Sequence, residues 1–296
     1  MEGHGNEKYK DAGLIATSAN RSWSLLSAEV RSHHAGEIAA FTPQNAFITQ
    51  TIRNTRSNVS IRSSGGVRQE VAAVIPGTIW LCPAGICEEA TRLIDDFPEV
   101  LHVYLPPHSF LRHVTEGSLN FGARDLRYQA QVTNPAVVTA TQNIRRELYQ
   151  ESCSGGLKMD ALAVELIGTL AQDHAEVSCS RSVALATGIL DRRRLDRVLE
   201  YIEVHLDADI RVGDLAEVAC FSLFHFVRAF HLAIGRPPHA YLSERRLDRA
   251  KQLLAYSNSS LVDISLTCRF SGQASFTKAF TRATGISPGR YRIAVR

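Results

Sequence analysis

The chain has 296 residues, 45% hydrophobic and 21% charged, with a formal net charge of +3. That length points to two domains, and the composition is that of a globular protein rather than a disordered one. No apolar run approaches the ~18 residues of a membrane-spanning helix, and residues 1–13 lack the apolar core of a secretory signal, so the expected location is cytoplasmic with no membrane partner.

Residues 1–20 carry little pattern and are expected to be a disordered tail. From Trp23 the text becomes strand-like. Short β-rich runs cover 23–30, 36–41, 46–52, 58–62, 67–75, 79–81 and 100–105. Gly and Pro punctuate them, at Ser63-Ser64-Gly65-Gly66, Pro76-Gly77 and Pro83-Ala84-Gly85. Regular spacing of this kind predicts an antiparallel barrel or sandwich. A short helix is expected over 107–116. Asn134-Pro135 opens a longer one to Tyr149, Pro being favoured in a first turn. Ser154-Gly155-Gly156 separates it from a helix over 158–171, whose Leu162, Leu166 and Leu170 share a stripe that needs a partner surface, either a second subunit or the chain's own barrel. Residues 176–192 read as a linker.

The six cysteines, Cys82, Cys87, Cys153, Cys179, Cys220 and Cys268, include no C-x-x-C pair and no zinc-finger arrangement. Cys220 and Cys268 fall at apolar positions and are expected in the core. A redox pair at Cys82 and Cys87 is the alternative to inert thiols. His33, His34 and Glu37 form the nearest approach to a metal cluster. Adjacent strand residues face opposite ways, so no metal and no other cofactor is expected.

Charge is unevenly distributed. From Arg193 onward there are 16 Lys+Arg against 10 Asp+Glu, leaving 17 against 20 for the rest. A basic C-terminal third on a slightly acidic body is the footprint of an attached DNA-binding module. It opens with an apolar stripe at Leu195, Val198, Leu199 and Ile202. Then one pattern occurs twice. Asp214, Phe221 and Ser222 recur 49 residues later as Asp263, Phe270 and Ser271. Phe226, Ala229, Phe230, Ala233, Gly235, Pro238 and Tyr241 recur 50 residues later as Phe276, Ala279, Phe280, Ala283, Gly285, Pro288 and Tyr291. Internal repetition of this kind dictates architecture. Each copy reads as helix, tight turn, helix. Leu215, Val218 and Ala219 mark one face of the first helix, Ser222 caps the second, and Gly235 stops it. In copy two, Ser260 and Asp263 form a capping-box variant. A helix over 241–255, ~22 Å long at 1.5 Å per residue, joins the copies. It would let one monomer address successive major-groove segments ~34 Å apart.

Residues 193–296 resemble the AraC/XylS family of bacterial transcription regulators. The resemblance is carried most specifically by Cys268 through Phe280 and Gly285 through Arg292. Val74–Gly85 with Val100–Pro107 resembles, more loosely, the cupin-like barrel common at the N-terminus of that family. The implied fold is multidomain: a cupin-like β-barrel with helices over 21–175, and an all-α domain with two helix-turn-helix motifs joined by a helix over 193–296. Where the family has Ser or Thr at the first cap, this chain has Arg211. By resemblance, Phe224, Val227, Arg228, Gln273, Ala274, Ser275, Thr277 and Lys278 contact bases. Arginine can pair with guanine and apolar side chains can meet thymine methyls. Ser222, Arg245, Arg246, Ser271, Arg282, Arg290 and Arg292 are the phosphate candidates. The alternative for each is a solvated surface side chain.

The implied function is a sequence-specific regulator, an activator by family habit and not an enzyme, with no catalytic residues. Its implied partners are double-stranded DNA, a small effector at an unassigned site, RNA polymerase and a second copy of the chain. The alternative is a cupin-type metalloenzyme fused to a DNA-binding module, disfavoured by the absence of His-x-His.

Overall fold

The computed structural model describes residues 3–53, 58–64, 67–111, 121–174 and 190–296. The chain divides into two units. One comprises Met1–Leu148 with Leu162–Leu185, the other Tyr149–Ala161 with Ala186–Arg296.

The N-terminal unit, expected as an antiparallel barrel or sandwich, contains two antiparallel sheets. The larger has the order β1 (Gly13–Thr17), β2 (Ser27–His33), β9 (Phe97–Leu105), β4 (Ala46–Arg53), β7 (Ile79–Cys82) and β10 (Gln129–Ala130). The smaller has the order β3 (Gly36–Ile38), β8 (Glu88–Leu93), β5 (Asn58–Ser64) and β6 (Val67–Val74). A closed cupin barrel is therefore not what this sheet order describes. Val74 and Leu93 from the small sheet pack against Trp80, Phe97 and Val100 from the large one. β4 and much of β9 are buried on both faces, Thr49, Gln50, Thr51 and His102 among the buried residues. β1, β8 and β10 were not legible: β8 is largely polar (EEATRL), and β10 spans two residues.

Within the stretch read as a disordered tail, the described residues form a helix and the strand β1. Helix α1 (Gly3–Lys8) is followed by Tyr9, and Lys8 and Tyr9 are buried. Asn6 Oδ1 accepts from Arg31 Nη2 at 2.6 Å. A Cβ at Gly5 would fall 1.7 Å from Glu29 Oε1, so a larger residue there would displace the Glu29 carboxylate. Helix α2 (Pro107–Leu111) starts as expected; residues 112–116 of that expectation lie outside the described residues. Asn134 Oδ1 accepts from the Ala136 amide at 2.9 Å at the start of α3 (Pro135–Tyr149). Helix α4 (Gly155–Asp173) begins three residues earlier than read from sequence. Its Leu166 and Leu170 are buried within the chain, which removes that stripe as a dimer surface. The unit division runs through α4, with Tyr149–Ala161 grouping with the C-terminal unit. Of the expected linker over 176–192, residues 176–189 lie outside the described residues, as do Cys179 and the Gly65-Gly66 turn, and Arg192 already opens a helix.

The C-terminal unit is helical: α5 (Arg192–Val204), α6 (Val212–Ala219), α7 (Leu223–Ile234), α8 (Pro238–Tyr256), α9 (Leu261–Thr267), α10 (Gln273–Thr284) and α11 (Pro288–Val295). The repeat in the text is a repeat in packing. Ring centroids of Phe226 and Phe230 lie 5.6 Å apart and those of Phe230 and Tyr241 5.9 Å. Their counterparts Phe276–Phe280 and Phe280–Tyr291 lie 5.5 and 5.2 Å apart. The second copy buries Leu254, Ile264, Cys268, Phe270, Phe276 and Phe280 in one cluster with Cys153. Cys220 is exposed rather than in the core, and Ala233 and Ala283 are exposed as well.

Candidate nucleic-acid interface

Each helix-turn-helix is built by local hydrogen bonding. Between α6 and α7 the chain bends by 80°. The turn is made by Cys220 in the left-handed region, φ 55°. Its amide donates to Glu217 O at 2.9 Å, and the Phe221 amide reaches back to Ala216 O at 2.9 Å. In the second copy Arg269 takes φ 60°. The Arg269 amide donates to Leu266 O and the Phe270 amide to Ser265 O, both at 2.9 Å. This is the 6→1 closure of a Schellman-type stop, which satisfies carbonyls at the helix end. Both second helices end on glycine, Gly235 at φ 78° and Gly285 at φ 80°, where only a residue without Cβ is unstrained.

Helix starts follow the side chains. Ser222 Oγ accepts from the His225 amide at 3.4 Å. Ser260 Oγ accepts from the Asp263 amide at 3.0 Å, and Asp263 Oδ2 accepts from the Ser260 amide at 3.3 Å. At Arg211, the Asp214 carboxylate accepts the backbone amide at 2.8 Å, while the Arg211 side chain makes no cap bond. The extra residue of copy two moves the cap of α10 from Ser271 to Gly272. Ser271 instead donates to Ser275 Oγ at 3.0 Å.

On α7, Arg228 is exposed, Phe224 is half-buried, and Val227 is buried at 3% exposure. Val227 therefore belongs to the core, which corrects its assignment as a base contact. The heptad-like stripe of α7 is wider than its phenylalanines alone imply, since Leu223 is buried too. On α10, Gln273, Ala274 and Lys278 are exposed, and Ser275 and Thr277 are half-buried. Lys278 Nζ donates to Gln150 Oε1 at 2.7 Å within the same unit.

The phosphate candidates separate by environment. Arg282 and Arg290 are exposed. Arg245 lies against Glu203, with Nε donating at 2.5 Å and Nη2 at 3.0 Å, and it bridges to Asp248 at 3.3 Å. The hydrogen bond to Glu203 raises its pKa. Arg292 Nη2 donates to Ser259 O at 2.6 Å. Arg246 is not a surface group: at 2% exposure it donates to Leu206 O at 2.8 Å, to Ala208 O at 2.5 Å and to Cys153 O. Burial lowers its pKa from the usual guanidinium value. Its role is to tie three carbonyls of the unit together, which corrects its assignment as a phosphate contact. Burial likewise pushes the Cys268 thiol up to about 11, leaving it protonated and inert.

Sequence reasoning missed the part played by Gln150, Cys153 and Ser154. Ser154 Oγ lies 2.7 Å from Ser243 Oγ and donates to His239 O at 3.1 Å. These contacts span roughly 85 to 128 residues, and no local pattern announces such a pairing.

In the N-terminal unit, adjacent His33 and His34 part as strand geometry requires: His33 is buried and His34 exposed. Glu37 is exposed. Among the described residues no group of three or more His, Cys, Asp or Glu is placed to hold a metal ion.

Residues 215–294 match the model of a helix-turn-helix domain family. A probable transcriptional regulator of Photobacterium leiognathi, LumQ, is 37% identical over 155 residues, covering 47% of this chain and 62% of LumQ. The chain thus spans less than two thirds of that relative's length. The transcriptional activator AarP of Providencia stuartii is 32% identical over 99 residues, covering 33% of this chain and 73% of AarP. A solved structure of a regulator with an AraC-type DNA-binding domain from Chromobacterium violaceum is 28% identical. It covers 35% of this chain and 93% of its own, with a TM-score of 0.34. Carrying two helix-turn-helix copies and matching most of AarP, this chain belongs to the AraC-type family of helix-turn-helix transcriptional regulators.

Proposed function

We propose that the chain is a sequence-specific regulator whose C-terminal unit reads two major-groove segments with α7 and α10, and whose N-terminal unit senses a small effector. The observation that carries this is the paired geometry: two turns built alike and two second helices with exposed polar residues, Arg228 on one and Gln273 and Lys278 on the other. Base choice would come from Arg228, Gln273, Lys278 and the half-buried Phe224. Affinity would come from the exposed cations Arg282 and Arg290, through neutralised phosphates. A homodimer and contact with RNA polymerase extend the same reading, as does action as an activator, which is how the AarP relative is named.

The test is genome-wide mapping of bound sites with the full chain, followed by footprinting on the enriched sequence. Protection of two segments about one helical turn apart by a single monomer supports the reading. Uniform binding to all DNA, with no enriched motif, overturns it.

A further inference from the structure

The interior of the N-terminal unit holds an ammonium, a carboxylate and aromatic faces in one place. The Lys8 ammonium pairs with the Glu88 carboxylate, and the two side chains are 2% and 3% exposed. The ammonium lies 4.3 Å from the centroid of the Phe47 ring and 5.1 Å from that of Tyr9. Glu88 Oε1 also accepts from the Tyr128 hydroxyl at 3.4 Å and from Cys82 Sγ at 3.5 Å. Beside this, the Tyr9 ring packs on His33 and His102, with centroids 4.8 and 4.5 Å away. The two imidazoles meet through their Nε2 atoms at 2.9 Å, and Thr49 Oγ1 lies 3.4 Å from His102 Nδ1. A small cavity on the histidine side of Lys8 and Tyr9, lined also by His33, Thr49, Trp80 and His102, keeps about 20 Å³ of open volume, roughly one water's worth.

The sheets supply Glu88 and Phe47, but the cation comes from the end of a six-residue helix. A buried ion pair is a weak device for stability, since a well-packed apolar pair of equal volume does as well or better. It is a strong device for recognition. A desolvated carboxylate backed by an aromatic face is how proteins select organic ammonium ions. Lys8 and Tyr9 together present an ammonium and a ring, and the Lys8 ammonium occupies the place beside Glu88 and Phe47 that a ligand's ammonium would take.

We propose that Glu88, Phe47 and Tyr128 form an ammonium-binding site, that Lys8 is its resident intramolecular occupant, and that a small primary amine with an apolar or aromatic body competes for it. This rests on the effector-sensing reading above and names the effector's chemical class. Three N–H donors on a primary amine reproduce what Lys8 offers. Its apolar body would take the place of the Lys8 stem and the Tyr9 ring. Entry of such a ligand displaces α1 from Arg31 and Glu29.

The experiment is chemical rescue. In the full chain, Lys8→Ala vacates the site, and n-butylamine is the probe. The amine at about 100 times its Kd should raise the unfolding midpoint of Lys8→Ala by about 5 °C or more. The uncharged n-butanol should not, and Lys8→Ala combined with Glu88→Gln should not respond to either. No response to the amine, an equal response to the alcohol, or a response surviving Glu88→Gln overturns the site. Should Lys8→Ala fail to fold, the wild-type chain gives the second readout. Excess n-butylamine, and not n-butanol, should speed tryptic cleavage after Lys8, and the absence of an amine-specific effect overturns the site. The two readings fail separately. Amine binding that leaves affinity for a DNA fragment selected from a random library unchanged keeps the site and removes effector sensing. Changed DNA affinity with another small molecule, and none with amines, keeps sensing and removes this site.

Discussion

Cys220 and Arg269 stand 49 residues apart and take the same left-handed backbone position, at φ 55° and φ 60°. Neither is glycine, so each turn stores strain, of order 1–2 kcal/mol for an ordinary L-residue. The hydrogen bonds on either side repay it. In both copies the next amide closes on the carbonyl five residues back, from Phe221 to Ala216 and from Phe270 to Ser265.

Arg269→Gly should therefore stabilise the chain by up to about 1 kcal/mol, since glycine takes positive φ freely but loses more entropy on folding. Arg269→Val should destabilise it by about 1–2 kcal/mol, because a β-branched side chain resists this region most. Urea unfolding of both variants checks the pair. If valine is tolerated as well as glycine, the turn does not depend on the left-handed residue.

Arg246 and Arg282 should behave oppositely although both are arginines of one unit. Arg246→Ala leaves the carbonyls of Leu206, Ala208 and Cys153 without their donor. We expect a loss of about 3–5 kcal/mol in stability, with loss of DNA binding as a consequence. Arg282→Ala should leave the unfolding curve in place and lower the salt dependence of DNA binding by about one counterion. Denaturation and salt-titrated binding on the same samples separate the two.

Arg228→Ala should lose discrimination and keep affinity for random DNA. A bidentate guanine contact is worth about 1–3 kcal/mol, so specific binding should fall about tenfold or more. Competition between the enriched site and random DNA measures this. Equal losses on both would assign Arg228 to a phosphate.

The pH dependence of the N-terminal unit should include His174. Burial lowers its pKa from the usual value of 6.5, and nearby Asp173 only partly opposes this. Its Nδ1 lies 2.8 Å from Gln129 Oε1. The unfolded chain therefore binds this proton more readily than the folded one. The contribution to stability is complete above about pH 6.5 and falls away as the pH drops through that value toward the lower folded pKa. His174→Gln should flatten that part of the acid limb in thermal unfolding measured between pH 5 and 8.

What the text alone determined is the part written in short periods. The two helix-turn-helix copies depend on apolar spacing of three and four, on Ser caps and on Gly stops, all of which act within a dozen residues. Phe226, Phe230, Phe276 and Phe280 accordingly sit in the core where their spacing puts them. The strands of the N-terminal unit were legible for the same reason, except where polar text hid them, as in β8. Tertiary structure alone decided the rest. Arg246 looks like any cation on an amphipathic helix until three carbonyls, brought from as far as Cys153, surround it. Val227 sits one turn from Leu223 and is drawn into the core with it. Lys8 reads as tail, yet it is buried because a carboxylate 80 residues away requires a cation once water is excluded. Burial belongs to the assembled chain: desolvation acts on whichever groups the fold brings together, whatever their distance in sequence.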